Sequence, residues 1–166
     1  MKYAIHAKQT IYANVCFRSR LEAKWAAMFD LCGWDWQYEP VDLSGWSPDF
    51  FIHITRPRRG GGNRDIKLLA EVKPYTSYEQ FEGHPCALSL YGRSDFECEA
   101  CIGLGASPEC CLLHLESDGE GSHGQCSFDY LISADNDFSE GDMMALWHRA
   151  CNAVQWKYSG SGARIK

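Results

Sequence analysis

Between Pro48 and Lys73 the chain alternates like two neighbouring strands joined by a glycine-rich turn, and that pattern limits the fold more than any other stretch. Over Pro48–Thr55, Asp49, Phe51 and His53 share one face while Phe50, Ile52 and Ile54 share the other. Pro48 suits the first position of a strand, where no ladder N–H is required. Over Ile66–Lys73 the faces carry Leu69, Glu71 and Lys73 on one side and Leu68, Ala70 and Val72 on the other. The connection Arg56-Pro57-Arg58-Arg59-Gly60-Gly61-Gly62-Asn63-Arg64 is a flexible basic turn. Glu71 stands inside the otherwise apolar run Leu68-Leu69-Ala70-Glu71-Val72. Burying that carboxylate is costly unless a bound cation or Lys73 compensates it.

The flanking elements follow from periodicity and caps. A helix is predicted over Ser19–Cys32, where Ser19 and Glu22 form an S-x-x-E capping box. Leu21, Trp25, Met28, Phe29 and Cys32 give its apolar stripe, and Gly33 is a natural stop. Trp36–Val41 reads as a strand closed by the turn Asp42-Leu43-Ser44-Gly45. Ser77–Leu90 is expected to be helical in part, with a break at His84-Pro85. Further strands are expected over Cys98–Leu104, Cys110–Glu116 and Cys126–Ile132, with Gly119–Gly124 a polar loop between the last two. Glu140–Tyr158 has helical spacing through Met144, Trp147, Ala150, Cys151 and Val154, and the tail Ser159–Lys166 should fray.

At 166 residues the expectation is one domain over 1–166. No apolar run approaches 18 residues, and the start lacks a signal-peptide core, so a soluble, intracellular protein without a membrane partner is expected. Nine cysteines in such a setting point to thiols or metal ligands rather than a disulfide framework. Charge divides unevenly. Residues 1–73 hold 11 Lys/Arg against 8 Asp/Glu, and residues 74–166 hold 5 against 14. The basic half suits nucleic acid, whereas the acidic half suits a face meant for a protein partner.

Several residues can carry chemistry, each with a plainer alternative. Two acids and a lysine at the ends of neighbouring strands are what phosphodiester hydrolysis requires: carboxylates for a cation, an ammonium for water or developing charge. Glu71 and Lys73 could equally be a structural ion pair. Glu22 is either the third residue of its capping box or a site residue. Arg18 and Arg20, at the helix start, could meet phosphate oxygens or form a solvated turn. Arg56, Arg58, Arg59 and Arg64 could clamp a nucleic-acid backbone or merely tip a hairpin. His53 shares the Asp49 face, where a lone histidine is more often structural. Cys98-x2-Cys101 and His123-x2-Cys126 have ligand types for structural zinc, although free cysteines also pack as small apolar residues.

Pro48-Asp49, then 21 residues, then Glu71-Val72-Lys73 resembles the PD-(D/E)xK nuclease family, the restriction-endonuclease-like fold. Arg18-Ser19-Arg20-Leu21-Glu22-Ala23-Lys24-Trp25 looks like the version with a glutamate on the first helix, which also occurs in phage-type proteins. The resemblance implies an α/β fold: an αβββαβ core over about 18–104 with a mixed central sheet, and a C-terminal elaboration over about 105–158. It implies a Mg2+- or Mn2+-dependent endonuclease, most naturally on DNA, in the cytoplasm of a bacterial or phage-infected cell. Asp49, Glu71 and the Val72 carbonyl would bind metal, Lys73 would position water, and Glu22 would complete the site. A homodimer is compatible with this reading. The rival readings are a protein of the same fold acting by contact, such as a phage-encoded inhibitor of a host factor, and a zinc-stabilised interaction module.

Overall fold

A computed structural model describes residues 7–57, 61–87, 98, 100–115, 122–123, 128, 131 and 140–154. Its elements in chain order are β1 (Thr10–Tyr12), β2 (Val15–Phe17), α1 (Arg20–Cys32), β3 (Asp35–Tyr38), β4 (Phe50–Pro57) and β5 (Asn63–Val72). β6 (Ala100–Leu104), β7 (Leu112–Leu115), β8 (Ser122–His123) and α2 (Glu140–Ala153) follow. The fold is mixed α/β. The strands β3 to β8 form one six-stranded sheet in sequence order, and β1 and β2 form a separate hairpin. Every neighbouring pair is antiparallel except β5 with β6, which run parallel. Among the described residues no helix is long and apolar enough to cross a membrane.

The Ser19 half of the expected capping box of α1 forms, whereas the Glu22 side chain accepts from the Arg18 N–H and the Ser19 hydroxyl in place of the Ser19 N–H. Ser19 is the extended N-cap, its side chain accepts from the Glu22 N–H at 3.1 Å, and Gly33 ends the helix in the left-handed region at φ 69°. Glycine adopts that conformation without a Cβ penalty. The helix lies on the sheet face formed by Phe50, Ile52, Ile54, Ile66, Leu68, Ala70, Val72, Ala100, Ile102 and Leu104. Met143, Trp147 and Ala150 of α2, with Val154 just after it, complete that core. Aromatic rings tie the layer together: Trp25 lies 4.7 Å from Trp147 and 5.1 Å from Phe128 between ring centroids. The Trp25 indole N–H donates to the Gly105 carbonyl at 3.0 Å, which holds α1 beside the loop leaving β6.

Among the described residues the opposite face is covered without an α-helix. Trp46, Leu69, Phe81, Cys86 and Cys101 form a second, smaller core there, with Val41, Leu43, Phe51, Tyr75, Cys98 and Leu112 against it. Phe81 approaches Gly103 so closely that a Cβ there would lie 2.7 Å from its ring, so only glycine fits. The alternation expected for β4 and β5 is therefore the division between two cores.

Three expectations are corrected. The Ser77–Leu90 segment carries two short 3-10 turns, Tyr78–Phe81 and Pro85–Ala87, instead of an α-helix up to residue 87. Pro85 removes a donor in mid-segment, and a single turn suffices to seat Phe81 on Gly103. Phe128 and Leu131, expected in a strand over Cys126–Ile132, are helical, and the rest of that segment lies outside the described residues. Apolar runs of this length do not distinguish a strand from a buried helical turn. The Gly119–Gly124 stretch contains β8, which pairs with β7. The β1–β2 hairpin carries no turn signal in the sequence: its two-residue turn uses Ala13 and Asn14 at φ 48° and 63°, without the glycine that marks such turns. The last four residues of the expected C-terminal helix, 155–158, and the tail lie outside the described residues.

Candidate active site

The β4–β5 register pairs Phe50 with Ala70. Continued by one residue, it sets Asp49 opposite Glu71 on the face away from α1. Both are buried, at 2 % and 5 % relative exposure. Asp49 Oδ2 accepts from the Val72 N–H at 2.7 Å, across the two strands. Asp49 Oδ1 is bonded to the Arg18 guanidinium. Glu71 Oε2 accepts from the Trp46 indole N–H at 2.7 Å, and Glu71 Oε1 accepts from the Lys73 ammonium. Glu71, Lys73 and Asp49 thus come together as the sequence proposed.

Burial first, and then the charge of Glu71, push the Asp49 carboxyl from 3.8 up to about 6, with Glu22 adding a smaller push. The Val72 N–H and Lys73 pull the other way. Arg18 acts in that same downward sense, because the ion pair with Asp49 favours its own charged form. Burial also disfavours the Lys73 ammonium, but the hydrogen bond to Glu71 and the charges of Glu71 and Asp49 outweigh it, and the Lys73 pKa is raised. Lys73 is therefore a cation here, suited to hold an anion or a water rather than to remove a proton.

Glu22 is buried at the start of α1. Its Oε1 accepts from the Ser19 hydroxyl at 2.8 Å, and its Oε2 accepts from the Tyr38 hydroxyl and from the Arg18 N–H at 3.1 Å. Burial, and then the Glu22 bond, push the Tyr38 phenol up to about 12, so it donates as a neutral hydroxyl. The cap and the site meet at this residue, since its charge also reaches Asp49. Arg20 is exposed on the first turn of α1.

The basic loop is elsewhere. Arg56 pairs with Arg64 near the turn of the β4–β5 hairpin, at the opposite end from Asp49. Seven residues of strand separate Arg56 from Asp49, or about 23 Å at ~3.3 Å per residue. Arg58 and Arg59 lie outside the described residues. His53 stands 3.3 Å from Asp65, toward the same far end. For zinc, Cys101 is fully buried in the smaller core and Cys98 packs on it, while Cys126 and the side chain of His123 lie outside the described residues.

Three contributors were not anticipated. Trp46 is set by a tight turn in which Leu43 and Trp46 exchange backbone hydrogen bonds at 2.9 and 3.1 Å. A tryptophan between Ser44-Gly45 and Ser47 was the available signal, because so large a ring in a polar turn must find cover. Tyr38 left no trace beyond ordinary strand alternation. His84 places Nε2 3.7 Å from Glu71 Oε1 while Nδ1 accepts from the Cys86 N–H at 3.3 Å. An open cleft of about 480 Å3 adjoins the site, lined by Arg18, Glu39, Pro40, Val41, Asp42 and Ser47.

The donor set suits a hard divalent cation. Asp49 and Glu71 offer only oxygen, they face one another across adjacent strands, and a cation would relieve both burial and mutual repulsion. Among the described residues no three His, Cys, Asp or Glu side chains gather closely enough to hold an ion. Two carboxylates would then share the ion with backbone, water or substrate oxygens, as magnesium commonly accepts. Compared with models of known protein families, with curated proteins and with solved structures, the chain gives no match.

Proposed function

We propose that the protein is a divalent-metal-dependent nuclease of the PD-(D/E)xK type, cutting DNA internally. The observation that carries this reading is the buried Asp49–Glu71 pair with Lys73 bonded to Glu71 at the strand ends. The order of elements supports it. An antiparallel run β3–β4–β5 is extended by the parallel β6 after α1, which is the order that the resemblance implies. Up to residue 87 the crossover departs from that pattern by using 3-10 turns.

Mg2+ or Mn2+ would be held by Asp49 and Glu71, with the Val72 carbonyl as the resemblance implies, and would supply charge stabilisation at the scissile phosphate and a more acidic water. The chain's own groups do the rest. Lys73 holds the attacking water or the negative charge on the phosphoryl oxygens as the new oxygen–phosphorus bond forms and the bond to the leaving oxygen breaks. Trp46 fixes the second oxygen of Glu71, and the Val72 N–H fixes that of Asp49, so the carboxylates keep their orientation. Glu22 is a positioning residue, holding the backbone of Arg18 beside Asp49.

The test is incubation of the purified protein with duplex, single-stranded and branched DNA and with RNA, in Mg2+, Mn2+ or EDTA. Cleavage that needs the metal and is lost in Asp49→Ala is the expected result. No cleavage of any substrate, with partner binding retained, would favour the contact-only rival. Cleavage that survives both EDTA and Asp49→Ala would move the chemistry elsewhere.

A further inference from the structure

The most constrained access to the site is at Asp49. Its Oδ2 is committed to the Val72 N–H, which leaves Oδ1 as the oxygen open to a ligand, and Oδ1 is bonded to Arg18. The two ends of that ion pair differ in freedom. The Asp49 side chain is 3 % exposed and that of Arg18 is 58 % exposed, so movement must come from the arginine. The Arg18 backbone is held by Glu22 and Tyr38. Its side chain also donates from Nε to the Tyr38 hydroxyl at 3.3 Å and lies 3.1 Å from Glu39, and release from these exposed contacts lets it turn into the open cleft that it borders.

We propose that Arg18 is a built-in competitor for the cation at Asp49, drawn off by a phosphate of the nucleic acid, so that metal and substrate bind cooperatively. The inference rests on the nuclease reading above and names how that site is regulated. A guanidinium and a divalent cation cannot both sit on Oδ1, and as like charges they repel at short range. A phosphodiester arriving between them reverses the sign of that interaction. It offers two non-bridging oxygens that a guanidinium fork binds together, better than it binds one carboxylate oxygen. The cation then takes the released oxygen. Because coupling is reciprocal, metal must tighten nucleic acid by the same factor that nucleic acid tightens metal.

The experiment is calorimetric titration of the full chain with Mn2+, with and without a phosphorothioate duplex that resists cleavage. Wild type, Arg18→Gln, Arg18→Met and Asp49→Asn are compared, each checked for folding by its melting curve. Without DNA, both arginine variants should bind Mn2+ on the order of tenfold tighter than wild type, since no charged hydrogen bond has to be exchanged first. Wild type should tighten on the order of tenfold when the duplex is present, and the variants should not. A folded arginine variant that binds Mn2+ no tighter than wild type, while Asp49→Asn abolishes binding, would overturn the proposal and leave the nuclease reading standing. Mn2+ binding unchanged in Asp49→Asn would instead remove the metal site on which both depend.

Discussion

The β4–β5 ladder ends in an aspartate network on each side, and the two are in opposite states. At one end Asp49 is buried, faces Glu71, and has its pKa pushed up to about 6. At the other end Asp65 is exposed, accepts from the Thr55 hydroxyl at 2.7 Å and lies 3.3 Å from His53. Its pKa is lowered, chiefly by the Thr55 bond. Residue type is the same and the strands are the same. What differs is cover: Trp46, Phe81 and the start of α1 close over the first end, while the second faces solvent. A carboxylate held in a poor environment is available for work that a comfortable one is not.

The largest effect that would sharpen this contrast is kinetic. Lys73→Met removes the ammonium and keeps much of the stem, so cleavage should fall about 10²- to 10⁴-fold while folding and Mn2+ binding persist. Melting and cleavage measured on one preparation decide between roles. A variant that melts early yet cuts at the wild-type rate while folded would reduce Lys73 to a counter-charge for Glu71.

Next comes stability as a function of pH. Because the Asp49 pKa is raised on folding, the folded protein keeps a proton between about pH 4 and 6 that the unfolded chain releases. Its contribution is complete below pH 4 and is lost as pH rises through about 6. Asp49→Asn retains an acceptor for the Val72 N–H and should be more stable than wild type at pH 7 by about 1–3 kcal/mol. Asp65, with a lowered pKa, acts in the reverse direction, since its contribution is present at neutral pH and lost on acidification. Asp65→Asn should leave Mn2+ binding unchanged. Urea melts at pH 4 and 7 test both ends together, and equal pH slopes for wild type and Asp49→Asn would break the comparison.

The smallest effect belongs to Glu22. Gln can serve a capping box, but Glu22 Oε2 receives two donors, so an amide nitrogen placed there would oppose one of them. Glu22→Gln should cost about 1–2 kcal/mol, with cleavage altered only through Arg18. A loss of cleavage as deep as that of Lys73→Met, at unchanged melting temperature, would assign Glu22 to the metal instead.

Much of this arrangement was legible in the residues. The Ser19 cap, the Gly33 stop, and the assignment of Asp49, Glu71 and Lys73 to one face all rest on interactions within about four residues or on strict alternation. Backbone geometry enforces such patterns wherever the chain folds. The described first part of the parallel crossover was less accessible, because its 3-10 turns depend on Phe81 seating against Gly103. That contact joins residues with no shared period.

Tertiary structure alone decided the environment of the carboxylates. Arg18 reaches Asp49 across 31 positions of sequence and Trp46 reaches Glu71 across 25. Which loop or helix end covers a given strand end depends on the packing of two cores against one sheet, and no local pattern encodes it. The same reason sets Arg56 and Arg64 away from the site: a hairpin carries its turn end and its free ends a full strand length apart. Sequence by itself determined which side chains share a face and which helix begins beside them. The closing of the two cores decided which of those side chains would be buried, opposed and bonded, because burial and distance are properties of the packed chain.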